Sequence, residues 1–169
     1  MADVAHYIID EHRNLLPHIE ELRIVAASVG DFSPNLLLRG IDKIYDFLMR
    51  QLIPHAQAEE ETFYPAVAKI LGTPQAITTM SRDHAEVSEL IGQLRGLRSQ
   101  ISHSGFDEDK AKDLRRILYG LYTLLKVHLA KEEEVYLPML DAGPGEIEAN
   151  DLFHKMAEIS HGETSHIHH

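Results

Sequence analysis

A helix-compatible segment that occurs twice limits what this chain can fold into. His55-Ala-Gln-Ala-Glu59-Glu60-Glu61-Thr-Phe-Tyr-Pro65 recurs 73 positions later as His128-Leu-Ala-Lys-Glu132-Glu133-Glu134-Val-Tyr-Leu-Pro138, with the His, the three Glu and the Pro in register. Residues four apart on an α-helix share a face, nearly one above the other. His55 with Glu59, and His128 with Glu132, therefore each aim an imidazole and a carboxylate at one point. The duplication reaches further upstream. Glu11-His12 and Asp83-His84 correspond at an offset of 72, as do Ile19 with Ile91 and Leu22-Arg23 with Leu94-Arg95. Each half supplies a lone His and then a His-x-x-x-Glu pair.

Apolar residues recur at threes and fours through four long stretches, the mark of amphipathic helices. The first covers 3–29, with Ile8, Ile9, Leu15, Leu16, Ile19 and Leu22 on one face. The second runs from 34 to about 71, the third to about 102, and the fourth from Asp107 to the break at Gly143-Pro144-Gly145. Gly30-Asp-Phe-Ser33-Pro34, Gly72-Thr73-Pro74 and Gly105-Phe106-Asp107 separate them, with Ser33 and Asp107 as N-caps and Pro34 at a first helical position. Pro17, Pro54 and Pro65 predict bends. Gly92 and Gly96 weaken the third helix or admit a close neighbour. No strand pattern competes. The expected fold is all-α: an up-down-up-down four-helix bundle, built as a duplicated helix hairpin, over residues 1–142. Residues 143–169 are expected to add a short helix near 147–159 and a frayed His-rich tail from His161.

The chain carries 27 acidic and 16 basic residues, a formal charge of −11. Nucleic acid and anionic membrane surfaces, which attract basic patches, are poor partners for it. No apolar run approaches the ~18 residues that span a bilayer, and no export signal opens the chain, so a cytoplasmic setting is expected. There are no cysteines but 12 histidines. Thiolate ligation is therefore excluded, and any metal is expected to be held by His, carboxylate or Tyr.

The histidines and Glu of the repeat fall among Ile, Leu, Val and Met. Burying two carboxylates there without a cation would cost several kcal/mol each. A metal cluster built from His12, His55, Glu59, His84, His128 and Glu132 removes that cost. Four imidazoles and two carboxylates suit Fe, Mn or Zn, and six ligands are too many for one tetrahedral zinc. Two ions fit better, with Glu59 and Glu132 bridging through both oxygens. A shared oxo or hydroxo bridge would still leave positions open to a small ligand.

This arrangement resembles the hemerythrin-like (HHE cation-binding) family from about His12 to Pro138. The resemblance implies a helix bundle around a non-heme di-iron centre, held by His12, His55 and Glu59 from one half and His84, His128 and Glu132 from the other. Two departures matter. Oxygen-carrying hemerythrins place a second His one turn after the third-helix His, where this chain has Ser88. They also place the last carboxylate five residues after the fourth-helix His, where this chain has Glu133. Glu60, Glu133, His18 or a Tyr could fill a vacant position, while Tyr119 and Tyr122 are expected in the core. The extra vacancy favours reaction with O2, hydrogen peroxide or nitric oxide over reversible carriage. Catalase-like turnover is the enzymatic form of this expectation, oxygen or iron sensing the non-enzymatic one, and any electron donor is unidentified. Ferritin-like oxidation needs Glu-x-x-His on two bundle helices, and only Glu158 with His161 and Glu163 with His166 have that spacing, so it is disfavoured.

Overall fold

The computed structural model describes residues 2–142 and 146–162, and every described segment except short connections is helical. The first rod is α1 (Ala2–Ala27), which passes through Pro17 without a break. The second is α2 (Pro34–Phe47), α3 (Ile53–Ala58) and α4 (Tyr64–Leu71), joined by π-turns at Leu48–Leu52 and Glu59–Phe63. The third is α5 (Thr78–Ser104). The fourth is α6 (Glu108–Lys131) and α7 (Leu137–Ala142), joined by a π-turn at Glu132–Tyr136. A further helix, α8 (Glu146–Gly162), extends past His161, so the tail begins later than expected. Residues 143–145 and 163–169, which include most of the His-rich tail, lie outside the described residues.

Local chemistry accounts for the ends. The Ser33 hydroxyl accepts the Leu36 N–H and the Asp107 carboxylate accepts that of Lys110, each satisfying a donor that the first turn leaves orphaned. Gly72 closes the second rod in the left-handed region at φ 73°, which a side chain would resist. Gly92 and Gly96 do not admit a neighbour: a Cβ at either position would meet nothing within 4 Å.

The expected bends at Pro54 and Pro65 take a specific form. The N–H groups of Ile53, Tyr64 and Leu137 bond to the carbonyls five residues back, at Leu48, Glu59 and Glu132. A proline follows each of the three. Proline has no N–H, and its ring crowds the carbonyl four residues earlier. Widening the preceding turn by one residue makes room for the ring and keeps the rod continuous. Every residue beyond such a turn is rotated by about 100° from its place on an unbroken α-helix.

The rods pack in a ring, α1 against α2 and α6, and α5 against α2 and α6. Their apolar faces form two clusters. The larger includes Leu22, Leu37, Ile41, Leu94, Leu114 and Leu118. The smaller joins Val4, Ile8, Phe63, Met80 and Leu137 to Met156 of α8, which lies across α1, α3 and the Glu59–Phe63 turn. Between the clusters runs a layer of His and Glu. Among the described residues no helix is long and apolar enough to cross a membrane.

Leu118 is fully buried and Val127 is 52% exposed, nine residues apart on a common helix. Leu118→Ala is expected to lower the unfolding free energy by about 3 kcal/mol. Val127→Ala should change it by no more than about 0.5 kcal/mol. Urea titrations followed by circular dichroism measure both, and equal small effects would contradict the packing described.

Candidate metal centre

The layer between the apolar clusters brings all six expected residues together. His12, Glu59 and Glu132 are fully buried, His55 and His128 nearly so, and the His84 side chain is 13% exposed. Their ligand atoms form two groups, His12 with His55 and Glu59, and Glu59 with His84 and His128, each within 4.8 Å. Glu59 is common to both. Oε1 of Glu132 lies 2.7 Å from Nε2 of His128, and Oε1 of Glu59 lies against Nε2 of His55. The π-turns start at these two Glu, so the His-to-Glu spacing itself stays α-helical.

A second ring of carboxylates surrounds the histidines. Nδ1 of His55 donates to Glu11 at 2.6 Å and Nδ1 of His128 to Asp83 at 2.9 Å. Nδ1 of His12 donates to Glu133 at 2.8 Å and Nδ1 of His84 to Glu60 at 2.9 Å. Glu11 and Asp83 serve the His of their own half, whereas Glu60 and Glu133 reach across to the other. Glu60 and Glu133, considered above as alternative ligands, thus lie on the outside of the imidazoles. An ionised carboxylate only accepts hydrogen bonds, so each Nδ1 carries a proton and each Nε2 faces inward, where it can offer a lone pair to a cation. Carboxylates in this position orient a ligating imidazole and raise its basicity.

The inward atoms face one another without donors. Nε2 of His12, Nε2 of His55, Oε1 of Glu59 and both carboxylate oxygens of Glu132 are buried with no hydrogen-bond partner. Nε2 of His84 and Nε2 of His128 approach to 3.0 Å. Acceptors crowded in this way are stable only with cations or added protons between them. The donor set therefore fits metal ions, and its oxygen and imidazole chemistry suits iron as it does manganese or zinc. Among the tyrosines it is Tyr64, which the sequence did not single out, that brings an oxygen here: its hydroxyl lies 2.9 Å from Oε2 of Glu59, 2.9 Å from Nε2 of His128 and 3.2 Å from Nε2 of His84. At the matching place in the second half stands Leu137, so the two positions differ.

Other expected candidates lie apart from the layer. Tyr119 is 41% exposed rather than in the core, and the half-buried Tyr122 donates to Glu20. His18 stacks on Phe47 and Glu158 is exposed on α8.

Proton affinities follow from this crowding. Burial, then the Glu59 charge, push the Glu132 carboxyl up from 4.5 to about 8. Burial alone would lower His128, but the neighbouring Glu132 and Glu59 carboxylates raise it to about 10, and similar opposing causes raise His55. Burial and the charge of His55 lower His12. In the metal-free protein protons thus hold the layer together. Groups raised in this way contribute stability fully present below their ordinary values, and lost as pH rises through the folded ones. Between pH 7 and 10 the metal-free protein should therefore lose thermal stability. Over the same range metal binding should tighten, roughly tenfold per pH unit for each proton released. Calorimetric melting and metal titration at several pH values test this; a metal-free melting temperature that rises with pH would contradict it.

Comparison with curated proteins gives no match, and comparison with solved structures gives none either. The family model described as "Hemerythrin HHE cation binding domain" matches residues 3–140, which hold every residue of both carboxylate rings and all four histidines. With most of its length matched, the chain belongs to the hemerythrin HHE cation-binding family.

Proposed function

We propose that the centre holds two iron ions and binds and reacts with a small oxidant, O2, nitric oxide or hydrogen peroxide, with peroxide decomposition as its turnover. The observation that carries this reading is a cavity of about 40 Å³ that reaches His55, His84 and His128. Its remaining walls are Leu52, Ile53, Ala56, Val87, Leu125 and Leu129, with exposed Ser88 at the edge. A cavity of that size, walled largely by apolar side chains, has room for a molecule of a few atoms beside the imidazoles. Ser88 stands where a further imidazole would close that approach.

Iron in such a ligand set supplies one-electron chemistry between ferrous and ferric states at positions the protein leaves open. The chain's own residues do the rest. Glu11, Asp83, Glu60 and Glu133 hold the imidazoles in one tautomer, and the apolar walls limit water at the cavity. Burial and the charges of Glu59 and Glu132 hold the Tyr64 proton on its oxygen. Tyr64 thereby offers a hydrogen bond on the His84 side of the layer. An up-down-up-down course for the rods, a cytoplasmic setting and a separate electron donor belong to the same proposal.

Iron-loaded protein mixed with hydrogen peroxide should evolve O2, and the ferrous form should react with nitric oxide and O2 within a stopped-flow trace. Val87→Phe, which fills the cavity, should slow these reactions about tenfold at unchanged iron content. A stable, reversible oxygen adduct without peroxide turnover would overturn the reactive reading in favour of carriage or sensing.

A further inference from the structure

The two halves of the duplicated site are finished differently on the outside. In the second half Asp83 accepts from Nδ1 of His128 and from the Lys131 ammonium, a side chain that comes in from the surface. The position matching Lys131 in the first half is Ala58, fully buried, with no group to reach Glu11. There α8 lies against α1, α3 and the Glu59–Phe63 turn instead. The ring of Phe153 packs edge-on against Tyr7, centroids 5.3 Å apart at 86°. Tyr7 donates its hydroxyl to Oε1 of Glu11 at 2.9 Å, and Oε2 of Glu11 accepts from Nδ1 of His55. Thr79 matches Tyr7 in the second half, so this chain of contacts has no duplicate. Met156, fully buried in the smaller apolar cluster, anchors α8 there.

We propose that α8 is a retaining helix for one of the two metal positions: through Phe153, Tyr7 and Glu11 it fixes His55, and so holds the ion at His12, His55 and Glu59. The ion at His84 and His128 depends on Asp83 and Lys131 and exchanges independently of α8. Tyr7 and Phe153 are positioning residues, acting on the metal only through Glu11 and His55. Small size at Ala58 is what lets a helix, rather than a lysine, cover this half. The inference rests on the two-ion reading of the centre.

Release of ferrous iron to excess colorimetric chelator tests it on the full chain. Wild-type protein should release its two irons in two phases. Phe153→Ala and Tyr7→Phe should each speed one phase about tenfold or more, the scale of an outer-ligand loss, and leave the other within about twofold. Lys131→Ala should speed the other phase instead. Tyr7→Phe keeps the ring and removes only the hydroxyl, so a fold defect in Phe153→Ala cannot imitate the result. Release from both α8-side variants that is unchanged, or accelerated equally in both phases, would overturn the role given to α8 alone. Wild-type protein that takes up fewer than two irons would overturn the two-ion reading beneath it.

Discussion

Everything in this structure answers to one difficulty: imidazole and carboxylate groups are pointed at each other in a buried layer. Left alone, each such group would cost several kcal/mol. Protons relieve it in the metal-free protein, which is why burial and the Glu59 charge keep Glu132 protonated up to about pH 8. Bound cations would relieve it too, by meeting atoms such as Nε2 of His12 and Oε2 of Glu132 that have no hydrogen-bond partner. The apolar clusters on either side shield the layer from solvent.

Duplication supplies the ligands, but the way the halves are stitched gives the layer its shape. Glu11 and Asp83 bind within their own half, while Glu60 and Glu133 cross to the imidazoles of the other. Four negative charges set behind four imidazoles orient every ring and strengthen its donor atom. The symmetry is then broken at two places. Tyr64 stands opposite Leu137 on the inside, and α8 stands opposite Lys131 on the outside. Two positions with the same basic ligands thereby acquire different access and different support.

How much of this can be read from sequence depends on whether local geometry decides the matter. His-x-x-x-Glu on a helix is a local fact, and the repeat of His12, His55, Glu59 in His84, His128, Glu132 needs only register to be seen. The role of Glu60 and Glu133 is not local, because each reaches an imidazole on another rod. Tyr64 was hidden for a different reason. Five residues after Glu59 it would point away on an unbroken α-helix, and only the π-turn brought about by Pro65 returns it to the Glu59 side. Tyr119 illustrates the converse: it follows the apolar periodicity of its helix closely enough to be placed in the core, yet lies at the outer edge of that face.

Anomalous diffraction at the iron absorption edge, on crystals of the iron-loaded chain, tests the central claim most directly. Two peaks are predicted, one among His12, His55 and Glu59 and one among Glu59, His84 and His128. A single peak, or iron bound only at the acidic surface, would contradict it.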